Sequence, residues 1–211
     1  MLRLFRAPFS TNVERVALAL AHKGLEVESV EISYSDRSPV IEVSGQPLVP
    51  VLVDGDEVIS DSTRILRHLE ARWPDSPLCP RDPARRAELD VFLEWFNEVW
   101  KLPPNAIEAE LERDQPDHDR IAALSARMRG SLDLFEDMLD GRDHLFGDFS
   151  AADCAAFPFL KFAKLRDPAD DELFHRILED NLRLDHSHPR PGASHPRLSA
   201  WIDRVNERPR V

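Results

Sequence analysis

Cysteine is scarce in this chain, which has 2 among its 211 residues. Cys79 and Cys154 lie far apart and no C-x-x-C pair occurs, which excludes a disulfide-stabilised scaffold and a dithiol redox site. Long apolar runs are also missing, because the longest, residues 16–21, is far too short to span a bilayer. Since residues 1–6 lead directly into a strand pattern and do not resemble a signal peptide, we expect a soluble cytoplasmic protein.

Positively charged residues are also fewer than negatively charged ones, with 27 Lys and Arg against 39 Asp and Glu. The formal net charge is −12 and the isoelectric point is near 5.1, and such a chain is repelled by nucleic-acid phosphates and by anionic membrane surfaces. We therefore expect neither as a partner. An anionic ligand would have to be held locally, by a few arginines and by the free N–H groups at helix starts.

The chain is long enough for one or two domains, and its first part alternates between strand and helix periods. Leu2 and Leu4 alternate with arginine as in a short strand, and a helical apolar face follows that ends at Gly24. The later expected elements are strands at 27–32, 48–53 and 58–59 and a helix at 65–73. The order β-α-β-(irregular)-β-β-α over residues 1–75 predicts a thioredoxin-like N-terminal domain.

The rest of the chain has a different pattern. Residues 73–80 are dense in helix breakers, so we interpret 76–85 as a linker. Beyond it, residues 86–211 show helical apolar stripes and essentially no strand pattern, which predicts an all-helical C-terminal bundle. Helices are expected at 89–100, with Pro103-Pro104 as its end, and at 121–139, 150–165, about 171–184 and about 196–207.

Ser150 and Asp153 have the spacing of a capping box, in which each side chain accepts a hydrogen bond from the backbone N–H of the other residue. We interpret the pair as a folding element rather than as a catalytic one. Loss of the Ser150 cap is expected to lower the free energy of unfolding by about 1 kcal/mol.

Five short motifs occur in an order that belongs to one known family. They lie at residues 7–16, 48–55, 61–65, 150–153 and 195–201. Over essentially its whole length the chain resembles the cytosolic glutathione transferases, and its first motif, Ala-Pro-Phe-Ser-Thr-Asn-Val-Glu-Arg-Val, is most similar to the serine-type phi, theta and zeta classes. The resemblance implies a homodimer, a role in detoxification, and glutathione as co-substrate with no other cofactor.

Ser10 is the residue to which the resemblance assigns the chemistry. The thiol of glutathione has a reference pKa near that of cysteine, about 8.5, whereas the nucleophile is the thiolate. The resemblance implies that the Ser10 hydroxyl donates a hydrogen bond to the sulfur and stabilises this anion, next to a helix N-terminus. The alternative is an ordinary helix N-cap, a role that Asn12 could also fill. No G-x-S-x-G surrounds Ser10, so it is not expected to be a nucleophile.

The resemblance also implies a binding site for the tripeptide, with Phe9 in its first loop. Pro50 is expected to follow a cis peptide bond, which leaves the backbone of Val49 to pair with the ligand, and the alternative is a strand-entry proline. Asp61 and Ser62 would hold the γ-glutamyl end at a helix start, although plain helix capping explains the same pair.

One position departs from the family pattern. Many members carry lysine or glutamine directly before the Val-Pro pair, where it contacts the glycine end of the ligand, and this chain has Leu48. Gln46 is a candidate substitute, while Arg37 and Arg15 are candidate compensating cations. Arg15 alternatively braces the first helix against the second domain. The ligand is therefore expected to be glutathione or a related low-molecular-weight thiol.

An acceptor pocket for a hydrophobic electrophile is expected between the two domains. Phe96 and Trp100 are its candidates, and the alternative is that both rings belong to the core, as aromatic stripes at helical spacing usually do. No metal is expected. His186, His188 and His195 have a metal-like spacing in a proline-rich loop, but a convincing fourth ligand is missing.

These residues favour an enzyme that conjugates glutathione, or a related thiol, to electrophilic small molecules. Thiol-dependent isomerase, dehalogenase or peroxidase chemistry on the same fold is one alternative. A non-catalytic binding module is another, and Leu48 is the residue that most favours it. A redox oxidoreductase is disfavoured because Ser10 stands where such relatives need cysteine.

Overall fold

The computed structural model describes residues 1–184 and 195–211, which fall into two compact units. Unit 1 comprises Met1–Arg86 and Arg208–Val211, and unit 2 comprises Ala87–Glu207. The segment 76–85, predicted to be a linker, therefore belongs to unit 1. The last four residues also return to unit 1 rather than ending in the helical part.

Unit 1 contains a four-stranded sheet with helices, in the thioredoxin-like arrangement that the sequence predicts. The strand order is β2-β1-β3-β4, with β1 and β2 parallel and the other pairs antiparallel. The elements are β1 Leu2–Arg6, α1 Thr11–His22, β2 Val27–Glu31, α2 Ser38–Ser44, β3 Val51–Asp54, β4 Glu57–Ser60 and α3 Ser62–Arg72.

Helix α2 occupies the segment that the sequence pattern left irregular. It has 7 residues and ends at Gly45, whose φ of 74° is the left-handed conformation that glycine adopts without strain. Such a short helix presents too few apolar positions to show a helical period, so its stability comes from packing. Val40 provides that contact, since it is fully buried in the core formed with Phe5 and Ile32.

The register of the sheet brings three separate chain segments to one end of it. Phe5 of β1 pairs with Val51 of β3, and Val51 pairs in turn with Ser60 of β4. The loop that follows β1, the residues that precede β3 and the residues that follow β4 therefore meet at this end. These are the three segments that carry the N-terminal motifs.

The C-terminal tail is held to unit 1 by arginines that no local pattern predicts. Arg210 forms an ion pair with Glu14 of α1 at 3.1 Å, and Arg208 donates to Nδ1 of His22 at 2.9 Å. Arg6 of β1 donates to the backbone oxygen of Val211 at 2.8 Å. These contacts explain why the tail belongs to unit 1.

Unit 2 is all-helical in the part that the structure describes, as predicted. Its helices are α4 Pro83–Trp95 (which begins in unit 1), α5 Leu102–Leu111, α6 His118–Met138, α7 Ala151–Leu160, α8 Leu173–Leu182 and α9 Pro196–Asn206, with a π-helix at Phe96–Trp100 and a 3-10 helix at Lys161–Ala163. Helix α5 was not expected. Pro103 and Pro104 lie in its first turn, where the N–H group that proline lacks has no intrahelical partner.

None of the helices in the described residues combines the length and the apolar character needed to cross a membrane.

The predicted capping box at the start of α7 is confirmed, and it is part of a larger buried network. The Asp153 carboxylate accepts from the Ser150 N–H at 2.9 Å and from the Leu145 N–H at 3.1 Å. It also accepts from the indole N–H of Trp201 on α9 at 2.8 Å. Burial raises the pKa of Asp153, and its hydrogen bonds act in the opposite direction.

Substitution of Asp153 tests this network. Asp153→Ala removes the acceptor of three buried N–H groups, and we expect the free energy of unfolding to fall by about 3–5 kcal/mol. Urea denaturation monitored by circular dichroism measures the change. Asp148→Ala, at an exposed position of the same loop, is the matched control and should change stability by less than about 0.5 kcal/mol. Equal effects of the two substitutions would contradict the role of Asp153.

Candidate functional site

Ser10 lies at the end of the loop that follows β1 and is the N-cap residue of α1. Its Oγ accepts from the Val13 N–H at 3.4 Å, so Ser10 is a helix N-cap, as the alternative interpretation predicts. Capping uses a lone pair of the oxygen and leaves the O–H proton for another acceptor. The two interpretations of Ser10 are therefore compatible, and Asn12 is not the cap.

Phe9 precedes Ser10 in an uncommon backbone conformation. Its φ is 57°, and its side chain is 43% exposed. A positive φ is rare for a bulky residue and is associated with loops that serve a function. Phe9 is thus a partly exposed aromatic residue immediately before Ser10 in the chain.

Val49 and Pro50 precede β3 at the same end of the sheet. The peptide bond between them is cis, as the resemblance implies. Within residues 1–184 and 195–211, no group hydrogen-bonds to the backbone N–H or C=O of Val49. An unpaired donor and acceptor on one residue are the groups that a peptide ligand can pair with, in the manner of an added strand.

Gln46 and Leu48 occupy the loop before Val49, where the resemblance implies a polar ligand contact. Leu48 is 71% exposed and offers no polar group. The Gln46 amide is already engaged, because Oε1 accepts from the Leu48 N–H at 2.6 Å and Nε2 donates to the Leu48 C=O at 2.9 Å. That Gln46 replaces the polar contact to the glycine end of the ligand stays a prediction. In this structure its amide binds the backbone of Leu48 within the loop.

Asp61 and Ser62 begin α3. Asp61 has a φ of 75° and caps the helix by accepting from the Arg64 N–H at 3.0 Å. The Ser62 Oγ accepts from Nη1 of Arg15 at 3.3 Å, which leaves the Ser62 hydroxyl proton for an acceptor such as a carboxylate. Arg15 is only 1% exposed. It joins α1 to the start of α3 within unit 1 and places a positive charge behind Ser62.

Tyr34 and Arg37 are parts of this region that sequence patterns did not single out as a pair. Tyr34 is the one tyrosine of the sequence, and its hydroxyl donates to the backbone oxygen of Pro8 at 2.7 Å. The guanidinium of Arg37 lies 4.6 Å from the centre of the Tyr34 ring, which is a cation–π contact. Together they attach the segment after β2 to the loop that carries Ser10.

Phe96 and Trp100 lie in the core of unit 2. Phe96 is 0% and Trp100 4% exposed, and the two rings stack with their centres 4.5 Å apart. Phe135 and Phe159 close around them, with centres 6.3 and 5.6 Å from that of Phe96. Rings without open surface do not line an accessible pocket, so the core alternative describes both residues, and we do not assign them to an acceptor site.

The predicted metal-like histidine pattern falls largely on residues that the structure does not describe, namely His186 and His188. His195 is described, and its Nε2 lies 3.0 Å from Oδ1 of Asp133. In residues 1–184 and 195–211, no three His, Cys, Asp or Glu side chains are arranged to hold a metal ion.

Unit 1 thus combines a thioredoxin-like sheet with the unpaired backbone of Val49, the Ser10 hydroxyl at a helix N-terminus and a Ser62 that contacts the buried Arg15. The fold is that of the thioredoxin-like class, and comparison with known families agrees with this class. Residues 4–77 match the profile described as glutathione S-transferase, N-terminal domain, and residues 118–204 match glutathione S-transferase, C-terminal domain. The chain belongs to the glutathione S-transferase family.

Individual relatives support the assignment. Glutathione S-transferase 3 of Zea mays is 30% identical over 228 residues, which cover 99% of this chain and 90% of the relative. FtsZ-localized protein A of Caulobacter vibrioides is 33% identical over 172 residues, covering 74% and 75%. The solved structure of beta-etherase LigF from Sphingobium sp. strain SYK-6 aligns with a TM-score of 0.78 at 22% identity, covering 99% of this chain and 96% of that one. That likeness concerns the fold alone.

The buried Arg15–Ser62 contact yields a stability prediction. Arg15→Leu removes the guanidinium that joins α1 to α3, and we expect the free energy of unfolding to fall by about 2–4 kcal/mol. Arg3→Leu, an exposed arginine of β1, is the control and should change it by less than about 0.5 kcal/mol. Thermal and urea unfolding of both variants measure the difference, and a stability of Arg15→Leu equal to that of the control would refute the role of Arg15 in joining α1 to α3.

Proposed function

We propose that the chain is a serine-type glutathione transferase that conjugates glutathione, or a related low-molecular-weight thiol, to electrophilic small molecules in the cytoplasm. The observation that carries the proposal is that the Ser10 hydroxyl can still donate a hydrogen bond. Its oxygen caps α1 while its proton remains available, at the sheet end where Val49 and Ser62 also lie. Family membership supports transferase-type activity in general, and the roles of individual residues are our inference.

The cysteinyl and γ-glutamyl parts of the tripeptide each have a matching group in unit 1. The unpaired backbone of Val49 would pair with the cysteinyl residue. The hydroxyl of Ser62, at the start of α3, would bind the γ-glutamyl carboxylate, where the helix dipole and the charge of Arg15 both favour an anion. The carboxylate of Asp61 would lie near the α-amino group. Phe9 would cover the ligand from the first loop.

Ser10 then acts on the sulfur. Its O–H donates to the thiolate, and the N-terminus of α1 adds a positive potential. Both effects lower the pKa of the bound thiol below its reference value of about 8.5. The thiol proton is released to solvent, and the thiolate attacks the electrophilic carbon. The new C–S bond replaces the bond to the leaving group, which departs with the bonding electron pair, and Ser10 stays chemically unchanged. No cofactor beyond the thiol co-substrate is required, and a homodimer is the assembly that we expect from the family.

A non-catalytic binding module is the second candidate. The exposed Leu48 favours it, because an apolar side chain replaces a polar ligand contact there. The similarity to FtsZ-localized protein A, whose name describes a localisation rather than a reaction, is compatible with it. Retention on a glutathione column together with turnover of chlorodinitrobenzene distinguishes an enzyme from such a module.

Three substitutions of Ser10 separate helix capping from catalysis. Ser10→Ala loses both the cap and the donor, Ser10→Asp keeps a cap acceptor but has no O–H, and Ser10→Thr keeps both. We expect kcat/KM for chlorodinitrobenzene conjugation near neutral pH to fall about 10²-fold in the alanine and aspartate variants and to be largely preserved in threonine.

Thermal stability provides the second readout for the same variants. The alanine variant alone should lose about 1 kcal/mol of stability, because aspartate and threonine still cap α1. If activity instead follows stability across the three variants, Ser10 is a cap and not a catalytic donor. If the unsubstituted chain neither binds glutathione nor turns over the substrate, the enzyme proposal is wrong.

A further inference from the structure

Gln46 forms an arrangement with Leu48 that the glutathione site, as proposed above, does not include. Its Oε1 accepts from the Leu48 N–H at 2.6 Å and its Nε2 donates to the Leu48 C=O at 2.9 Å. The side-chain amide thus pairs with both backbone groups of one residue, as a neighbouring strand would. We call this pair of hydrogen bonds the Gln46 clamp.

We propose that Gln46 is a positioning residue for the thiol site, acting through the backbone of Val49 and not through contact with the ligand. The inference rests on the proposed function, since it concerns the same site. Val49 follows Leu48 directly, and its own N–H and C=O have no partner within the described residues. Fixing the peptide plane before Val49 fixes the direction in which these two groups point.

The clamp is connected to the core of unit 1. Gln46 Nε2 also donates to Ser44 Oγ at 3.0 Å, and this hydroxyl donates to the backbone oxygen of Val40 at 2.7 Å. Val40 is fully buried, and the half-buried Val49 packs against the same cluster. A continuous series of contacts therefore runs from the buried face of α2 through Ser44 and Gln46 to the backbone before Val49.

Pro47 and Pro50 limit the backbone on either side of the clamp. Each proline ring fixes its own φ, so few rotations remain in the segment between them. The clamp holds the intervening Leu48. The backbone that pairs with a peptide ligand at Val49 is therefore already ordered before binding. Less conformational entropy of the protein is lost when the ligand binds.

From the same geometry we expect the Leu48 side chain to be dispensable for the site. Its side chain is 71% exposed, whereas both of its backbone groups are engaged. The contribution of position 48 to the site is therefore made by the main chain. Gln46 is the residue whose side chain matters, and it requires both an acceptor and a donor at the length of a glutamine.

Four variants test the proposal in the full chain. Gln46→Ala removes the clamp, Gln46→Glu keeps the acceptor for the Leu48 N–H but loses the donor, and Gln46→Asn keeps both groups one carbon shorter. Leu48→Ala is the matched control, because it leaves the backbone contacts in place. Amide hydrogen exchange at Leu48 reports the clamp itself, and glutathione KM, Kd and kcat report the site.

We expect Gln46→Ala to accelerate exchange at Leu48 and to raise KM and Kd for glutathione about tenfold, with kcat within about twofold of the unsubstituted chain. Gln46→Glu and Gln46→Asn should give intermediate KM values, and Leu48→Ala should match the unsubstituted chain in every readout. This separation of KM from kcat is the signature of positioning, since a general loss of folded protein lowers the apparent kcat without changing KM.

Three outcomes would overturn the proposal. Faster exchange at Leu48 with unchanged glutathione Kd would make the clamp purely structural. A fall in kcat as large as the rise in KM would place Gln46 in the reaction itself. An unsubstituted chain that binds no glutathione would remove the proposed function together with its positioning residue, and this failure is recognised before any variant is made.

Discussion

The backbone pairing of Phe5, Val51 and Ser60 across three strands is the constraint on which the site depends. Because this row lies at one end of the sheet, it brings the loop after β1 next to two segments that follow it about forty to fifty residues later in the sequence. Ser10, Val49 and Ser62 come from those segments. None of the three is unusual as an isolated residue, and it is the register of the sheet that makes them candidates for one ligand.

The acidity of the chain limits how the proposed site would hold an anion. With a formal net charge of −12, the protein offers no long-range attraction to a negatively charged thiol peptide. The attraction has to come from short-range features, namely the N-termini of α1 and α3 and the buried guanidinium of Arg15 behind Ser62. These act within a few ångströms, which restricts binding to a ligand that fits the backbone.

Local patterns predicted those parts of the structure that short-range chemistry determines. The Ser150–Asp153 capping box, the β-α-β-β-α order and the helical second unit follow from periodicity and capping. Helix α2, the clamp formed by Gln46 and the docking of Arg210 on Glu14 were not predictable in this way. They depend on packing and on contacts between residues distant in sequence. Phe96 and Trp100 were candidates for an acceptor pocket but lie buried in unit 2. A helical aromatic stripe in the sequence does not reveal whether its rings remain open to solvent.

The central claim is that Ser10 stabilises a bound thiolate while it also caps α1. Ultraviolet titration of glutathione bound to the protein measures this directly, because the thiolate absorbs and the thiol does not. We expect a pKa of the bound thiol well below its reference value of about 8.5, and a return toward that value in Ser10→Asp although the helix remains capped. A bound thiol that titrates as it does in free solution, or a low pKa that survives Ser10→Asp, would contradict it.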